Sequence, residues 1–121
     1  MKRIDLHIHT IVSDGTLTPM QVIDEASNSG INTIAISDHD TIDAYNTELF
    51  EYAKKKNVNL INAVEISTKS KKVGIHVLGY GFDLNNESFK NKLLKIRNAR
   101  HEYLHNVNDK FNELGYNLNV E

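Results

Sequence analysis

Short apolar segments alternate with amphipathic stretches along most of the sequence. Apolar runs at residues 4–8, 33–37 and 60–64 are separated by residues 19–29 and 43–56, where apolar side chains recur every three or four positions. The short runs predict buried strands, and the wider spacing predicts helices. Strand, helix, strand, helix, strand is the pattern of a parallel sheet built from right-handed crossovers. The sequence therefore predicts an α/β fold.

A fourth apolar run, residues 73–78, follows the third after a short basic loop, so these two strands can pair as direct neighbours. From residue 88 to 114 apolar side chains again recur every three or four positions, which predicts one long amphipathic helix ending at Gly115. The organisation changes just before this helix. We therefore expect two parts, residues 1–85 and 86–121.

The composition is that of an ordinary globular domain. The 121 residues are 40% hydrophobic and 25% charged, and the formal net charge of -2 gives no overall attraction to nucleic acid or an anionic membrane. No apolar run approaches the ~20 residues that a membrane span needs. We expect a cytoplasmic protein without a membrane partner. Because the chain has no cysteine, any metal must be held by nitrogen and oxygen.

The first predicted strand carries two imidazoles and a carboxylate on one face. Side chains alternate along a strand, so Asp5, His7 and His9 point to one side and the intervening apolar residues to the other. Burying such groups without partners would cost roughly a few kcal/mol each. A divalent cation is the simplest partner for all three.

Other ionisable residues occupy equivalent places along the predicted sheet. In parallel α/β sheets, ligands gather at the carboxyl ends of the strands. The candidates are Asp14 in the loop after the first strand, Asp38 and His39 after the second, Glu65 after the third and His76 within the fourth. A single strand histidine is more often a satisfied core residue, but joint occurrence at matched positions favours a metal site.

Imidazole and carboxylate ligands without sulfur suit Zn²⁺, Mn²⁺ or Fe²⁺. There are more candidates than one tetrahedral ion uses, so we expect a multinuclear site in which Glu65 is a candidate bridge. Such a site lowers the pKa of bound water to ~7 and clamps both oxygens of a displacement at phosphorus. A multinuclear site of this kind is best suited to phosphoester hydrolysis by metal-activated hydroxide. Asp5, Asp38 and Asp40 are then candidates for orienting imidazoles or carrying protons.

The candidate residues lie in four short motifs. They are His7-Ile8-His9-Thr10 with Ser13-Asp14-Gly15, Ser37-Asp38-His39-Asp40, Val64-Glu65-Ile66-Ser67 and His76-Val77-Leu78-Gly79-Tyr80. In order and spacing these motifs resemble those of PHP domains, the polymerase and histidinol phosphatase family. The resemblance implies that the chain forms the N-terminal portion of a distorted seven-stranded (β/α) barrel with up to three metal ions. It also implies six metal ligands, namely His7, His9, Asp14, His39, Glu65 and His76.

The long helix resembles the helical insertion of the nucleotide-phosphatase and small exoribonuclease branch of that family. Arg97 and Arg100 lie one turn apart on it and are candidates for binding a substrate phosphate as bidentate donors, although an exposed helix face explains them equally well. The family carries further ligands in its second half, and the chain ends before them. We therefore expect a front half that needs the remaining half for catalysis, with open sheet edges that an oligomer would cover.

The leading hypothesis is a metal-dependent phosphoesterase with two or three Mn, Zn or Fe ions, acting on a nucleotide, another small phosphorylated metabolite or an oligonucleotide end. The alternative is a non-catalytic or remnant PHP module, structural or polymerase-associated. The complete set of first-half ligands favours the enzyme. A zinc protease is a third hypothesis, because His101-Glu102-Tyr103-Leu104-His105 fits H-E-x-x-H on a helix. No clear third ligand follows this segment, and Glu121 remains at the very end of the sequence.

Overall fold

The structure is a computed structural model that describes residues 3–70 and 73–116. These ranges contain four strands and three helices. In chain order they are β1 (Arg3–Ile8), α1 (Pro19–Asn28), β2 (Ile31–Ile36), α2 (Thr47–Lys55), β3 (Asn59–Ser70), β4 (Val73–Tyr80) and α3 (Glu87–Glu113). The mixed α/β class is confirmed. The division into residues 1–85 and 86–121 stays a prediction.

The four strands form one curled sheet in the order β1-β2-β3-β4. The first three strands are parallel, whereas β3 and β4 are antiparallel neighbours, as their short connection predicted. Although β1 and β4 lie at opposite edges of the sheet, the hydroxyl of Tyr80 in β4 donates a hydrogen bond to the Leu6 carbonyl in β1 at 2.9 Å. The sheet is therefore a half-barrel whose two edges approach each other.

Two predicted boundaries are wrong. Glu65 was expected after the end of the third strand, but β3 continues to Ser70 because its antiparallel pairing with β4 extends the strand, with Glu65 opposite Leu78. The second helix was expected from about residue 43, but α2 begins at Thr47. Asn46 caps it, since the Asn46 side chain accepts a hydrogen bond from the backbone N–H of Leu49 at 2.8 Å.

The segment before α2 brings the Tyr45 ring into the sheet. The Tyr45 hydroxyl donates to the Ile36 carbonyl at 2.6 Å and accepts from the backbone N–H of Ala63 at 2.9 Å. Burial raises the pKa of the Tyr45 phenol above its ordinary value, so the hydroxyl stays protonated and able to donate. This side chain ties β2 to β3 next to the segments that carry His39 and Glu65.

The apolar core lies between the sheet and the first two helices. The Thr18 side chain caps α1 and the Gln21 side chain accepts from the Thr18 backbone N–H, so the helix start is fixed at Pro19. The apolar side chains that recur every three or four positions in both helices are largely buried. The buried side chains of this core include Val22, Ile23 and Ala26 of α1, Ile34 and Ile36 of β2, and Leu49 and Ala53 of α2.

The third helix packs on the sheet near its start, where Leu93 is buried against Val64 and Ile42. Most of its later apolar side chains, which the periodicity placed on a buried face, are exposed in the described part of the chain. So are several side chains of the two edge strands. The exposed residues include Ile4 and Leu6 of β1, Val73, Ile75 and Val77 of β4, and Tyr103, Leu104 and Phe111 of α3. An oligomer that covers them stays a prediction.

Among the helices in the described ranges, not one combines the length and apolar character that crossing a bilayer requires. The expected cytoplasmic location stays a prediction.

Gly15 lies against the backbone that follows β1. Because the two segments approach so closely, we expect any side chain at position 15 to destabilise the fold. A Cβ at this position would lie 2.6 Å from the His9 carbonyl carbon and 2.8 Å from the Thr10 nitrogen. Gly15→Ala is therefore expected to lower the free energy of unfolding by roughly 1–3 kcal/mol in urea denaturation. Gly74→Ala is the control, because a Cβ there meets nothing within 4 Å. Equal stability of the two variants would contradict the prediction.

Candidate metal centre

Three imidazoles from opposite edges of the sheet surround one carboxylate. The Nε2 atoms of His7 and His9 lie 2.8 and 2.9 Å from Oε2 of Glu65. The Nδ1 atom of His76, on β4, lies 2.8 Å from Oε1 of the same side chain. The predicted alternation therefore brings His7 and His9 to one side, and the curl of the sheet brings His76 to meet them.

His39 and Asp14 complete the cluster. The Asp14 carboxylate lies between two imidazoles, 3.1 Å from Nδ1 of His9 and 3.4 Å from Nε2 of His39. The backbone next to His39 is hydrogen-bonded to β3, because Glu65 donates its N–H to the Asp38 carbonyl and accepts at its own carbonyl from Asp40. His39 is thereby fixed beside Glu65.

The structure brings all six predicted ligands together in three overlapping groups. Within each group the ligand atoms lie within 4.8 Å of one another. His9, His39 and Glu65 each belong to two groups. The groups are His7, His9 and Glu65; His9, Asp14 and His39; and His39, Glu65 and His76.

Two ring nitrogens in the cluster fit a role as donors to a cation. Within residues 3–70 and 73–116, the Nδ1 atoms of His9 and His39 are buried and have no hydrogen-bond partner. For His9 the nearby Asp14 oxygen lies at ion-pair distance but without hydrogen-bond alignment. Buried polar atoms normally have a partner, and a divalent cation supplies one. The donor set of imidazoles and carboxylates fits Zn²⁺, Mn²⁺ or Fe²⁺.

Glu65 is the buried carboxylate at the centre of the cluster, with its side chain 7% exposed. Burial by itself raises the pKa of Glu65. Hydrogen bonds from His7 and His76, together with the charge of His39, outweigh burial and hold the pKa below its ordinary value. The side chain is therefore ionised, which is the form that binds metal.

Asp38 fixes the loop that follows β1. Its buried carboxylate accepts hydrogen bonds from the backbone N–H and the hydroxyl of Thr10, both at 2.7 Å, and from the Ser13 hydroxyl at 2.6 Å. Asp38 thus orients the loop that carries His9 and Asp14, whereas it was expected to orient an imidazole ring or carry protons. Sequence reasoning did not single out Thr10 or Ser13 as partners, although both lie inside the quoted motifs.

Asp40 and Asp5 also contact groups other than imidazoles in the described part of the chain. Oδ1 of Asp40 accepts from the Ser67 backbone N–H at 2.7 Å, and Oδ2 accepts from Nη2 of Arg100 at 2.6 Å. Asp5 is exposed and accepts from the His7 backbone N–H at 3.3 Å. A role in proton transfer for Asp38 and Asp40 stays a prediction.

Both predicted phosphate-binding arginines lie beside the cluster. Arg97 pairs with Asp43 at 2.9 Å, and Arg100 pairs with Asp40. A cleft of about 270 Å³ is lined by Arg97 and Arg100 together with Ser13, Asp14, His39 and His101. A larger cavity of about 630 Å³ shares Arg97 but contains none of the six candidate ligands. The smaller cleft is therefore the one that adjoins the candidate metal centre.

The H-E-x-x-H segment does not form a comparable group. His101 and His105 are exposed on α3, and neither belongs to a cluster of three metal-ligating side chains in the described ranges. Glu121, which was considered for the third ligand, lies outside the described residues. The geometry therefore adds no support to the zinc protease hypothesis.

Comparison with known families agrees with this geometry. Residues 5–116 match the model of the PHP domain. The chain belongs to the PHP domain family, as its motifs predicted.

Two curated relatives are named as enzymes that cleave phosphate esters. A 5'-3' exoribonuclease of Haemophilus influenzae is 35% identical over 114 residues, which cover 94% of this chain and 41% of the relative. A 3',5'-nucleoside bisphosphate phosphatase of Chromobacterium violaceum is 34% identical over 102 residues, which cover 84% of this chain and 35% of the relative. The chain thus spans about two fifths of the length of these relatives or less.

Solved structures show the same fold. An amidohydrolase from Chromobacterium violaceum with bound sulfate superposes with a TM-score of 0.84 at 30% identity, covering 96% of this chain and 40% of that one. A protein from Bifidobacterium adolescentis, regarded as a metal-dependent phosphoesterase, gives 0.82 at 28% identity, covering 93% and 39%. The half-barrel is therefore an established arrangement for these segments.

Proposed function

We propose that this chain supplies the metal-binding half of a phosphoesterase that hydrolyses phosphate esters of nucleotides, other small phosphorylated metabolites or oligonucleotide ends. The observation that carries the proposal is Glu65, a buried, ionised carboxylate with the imidazoles of His7, His9 and His76 within 2.9 Å. The names of the exoribonuclease and bisphosphate phosphatase relatives support the substrate class. A complete seven-stranded barrel, and catalysis by the whole protein, are part of this proposal.

In this proposal two or three Mn²⁺, Zn²⁺ or Fe²⁺ ions are held by the six clustered side chains, with Glu65 shared between ions. Divalent cations supply charge neutralisation and a water molecule of lowered pKa. The protein orients the imidazoles on rigid backbone and presents Arg97 and Arg100 to the substrate phosphate. The ligand set is His7, His9, Asp14, His39, Glu65 and His76.

A matched pair of histidine variants tests the proposal. In the complete gene product loaded with Mn²⁺ or Zn²⁺, we expect hydrolysis of a nucleoside 3',5'-bisphosphate or of an aryl phosphate. His9→Ala removes a donor that belongs to two ligand groups. Its rate should fall by more than the ~10–100-fold that loss of an outer partner costs. His105→Ala, on the exposed side of α3, should retain the wild-type rate.

Two other results would redirect the assignment. Metal binding without hydrolysis of any phosphate ester would indicate a non-catalytic PHP module. Peptide cleavage that is lost in His105→Ala and kept in His9→Ala would indicate the zinc protease.

A further inference from the structure

We infer that Asp40 is a positioning residue that fixes the Arg100 guanidinium at the wall of the cleft beside the candidate metal centre, where the guanidinium binds a phosphate oxyanion. The ligand class rests on the proposed function. The inference assigns to Asp40 a task that acts through Arg100, separate from orienting imidazoles or transferring protons.

The two ion pairs between α3 and the segment after β2 differ in burial. The Asp40 side chain is fully buried, whereas the Asp43 side chain is 65% exposed. An exposed pair contributes little, and water competes for both partners. A buried carboxylate must keep its partners, because an unpaired charge in the interior is strongly unfavourable. Arg100 is therefore held in place, while Arg97 can leave Asp43.

Among the described residues, the contacts that hold the Arg100 guanidinium are all made to one of its nitrogens. In the described ranges its hydrogen bonds use Nη2, to Oδ2 of Asp40 and to the Ser67 hydroxyl. A guanidinium has five N–H donors, so Nε and Nη1 retain three of them. Because the group is planar, fixing one nitrogen strongly restricts the directions of the others. The Arg100 side chain is 45% exposed and lines the cleft together with His39 and Asp14.

The backbone of Asp40 links Arg100 to the candidate metal centre. Asp40 has a φ of 54°, a left-handed conformation that aspartate, like asparagine, adopts more readily than most residues other than glycine. Its N–H donates to the Glu65 carbonyl at 2.9 Å, while its side chain holds Arg100, 60 residues further along the chain. One residue thus sets the position of Arg100 relative to His39 and Glu65.

Isothermal titration of the chain with inorganic phosphate, with and without Mn²⁺, tests this inference. The variants are Arg100→Lys, Asp40→Asn and their combination; asparagine has nearly the same size and tolerates the left-handed conformation. Arg100→Lys keeps the charge and loses the planar fork. It should weaken phosphate binding by about 10-fold in the wild-type background and by less than about 2-fold when Asp40 is asparagine. Mn²⁺ affinity should stay unchanged.

The matched control is the neighbouring pair. Arg97→Lys and Asp43→Asn should have additive effects on phosphate affinity, because their contact is exposed. If Asp40→Asn does not fold, Ser67→Ala removes the other partner of Nη2 and should also reduce the preference for arginine over lysine at position 100.

Equal losses from Arg100→Lys in both backgrounds would overturn the inference. The inference would also be overturned if the wild-type chain bound phosphate no more tightly than Arg100→Gln does, with or without Mn²⁺. If phosphate binding shows the expected coupling but the wild-type chain binds no Mn²⁺, the proposed function fails and the role of Asp40 stands.

Discussion

Glu65→Gln is expected to lower the affinity of the chain for Mn²⁺ or Zn²⁺ by ~100-fold. A four-ligand zinc site is worth about 10–16 kcal/mol, so one ligand accounts for ~3 kcal/mol, which corresponds to that factor. The neutral amide keeps the size of the side chain but removes the charge that two of the three ligand groups share. Isothermal titration with each metal measures the change.

Glu102→Gln is the matched control, because it makes the same chemical change at an exposed position of α3. Its metal affinity should equal that of the wild-type chain. An affinity of Glu65→Gln within about threefold of wild type, well inside 1 kcal/mol, would show that Glu65 is not a ligand.

Asp38→Ala is expected to lower the free energy of unfolding by roughly 3–5 kcal/mol. Hydrogen bonds to a charged group contribute about 1.5–3 kcal/mol each, and losses within one network are not additive. The substitution leaves the N–H and hydroxyl of Thr10 and the hydroxyl of Ser13 without their acceptor. Urea denaturation followed by circular dichroism measures the loss.

Asp83→Ala provides the comparison for Asp38. The Asp83 carboxylate also accepts a backbone N–H, from Asn85 at 2.9 Å, but it is exposed to water, which can replace it. Its substitution should change the free energy of unfolding by less than about 1 kcal/mol. Similar losses for Asp38→Ala and Asp83→Ala would contradict the role assigned to the buried carboxylate.

Much of the candidate centre could be predicted because residues close together in the sequence determine where its side chains point. The alternation of His7 and His9 along a strand, and the position of His39 after a buried strand, follow from spacings of a few residues. The carboxyl ends of parallel strands then bring such residues to one edge without knowledge of the packing. Asp14 and His76 were candidates by the same kind of placement, and the PHP motifs implied the ligand role of all six residues.

The remaining features depend on contacts between distant segments. Asp38 meets Thr10 across 28 residues, and Asp40 meets Arg100 across 60. The position of Glu65 inside β3 follows from pairing with β4, which the composition of residues 60–64 does not reveal. Periodicity likewise predicted an apolar face on α3, but it does not say what covers that face.

His7 and His76 contact the two oxygens of one carboxylate from β1 and β4, the strands at opposite edges of the sheet. A cation bound by both strands would stabilise the curled sheet over any flatter conformation, and by more as its free concentration rises. Sheet curvature and the chemical potential of the metal are then thermodynamically linked. The shape of this half-barrel would report the metal supply of its surroundings.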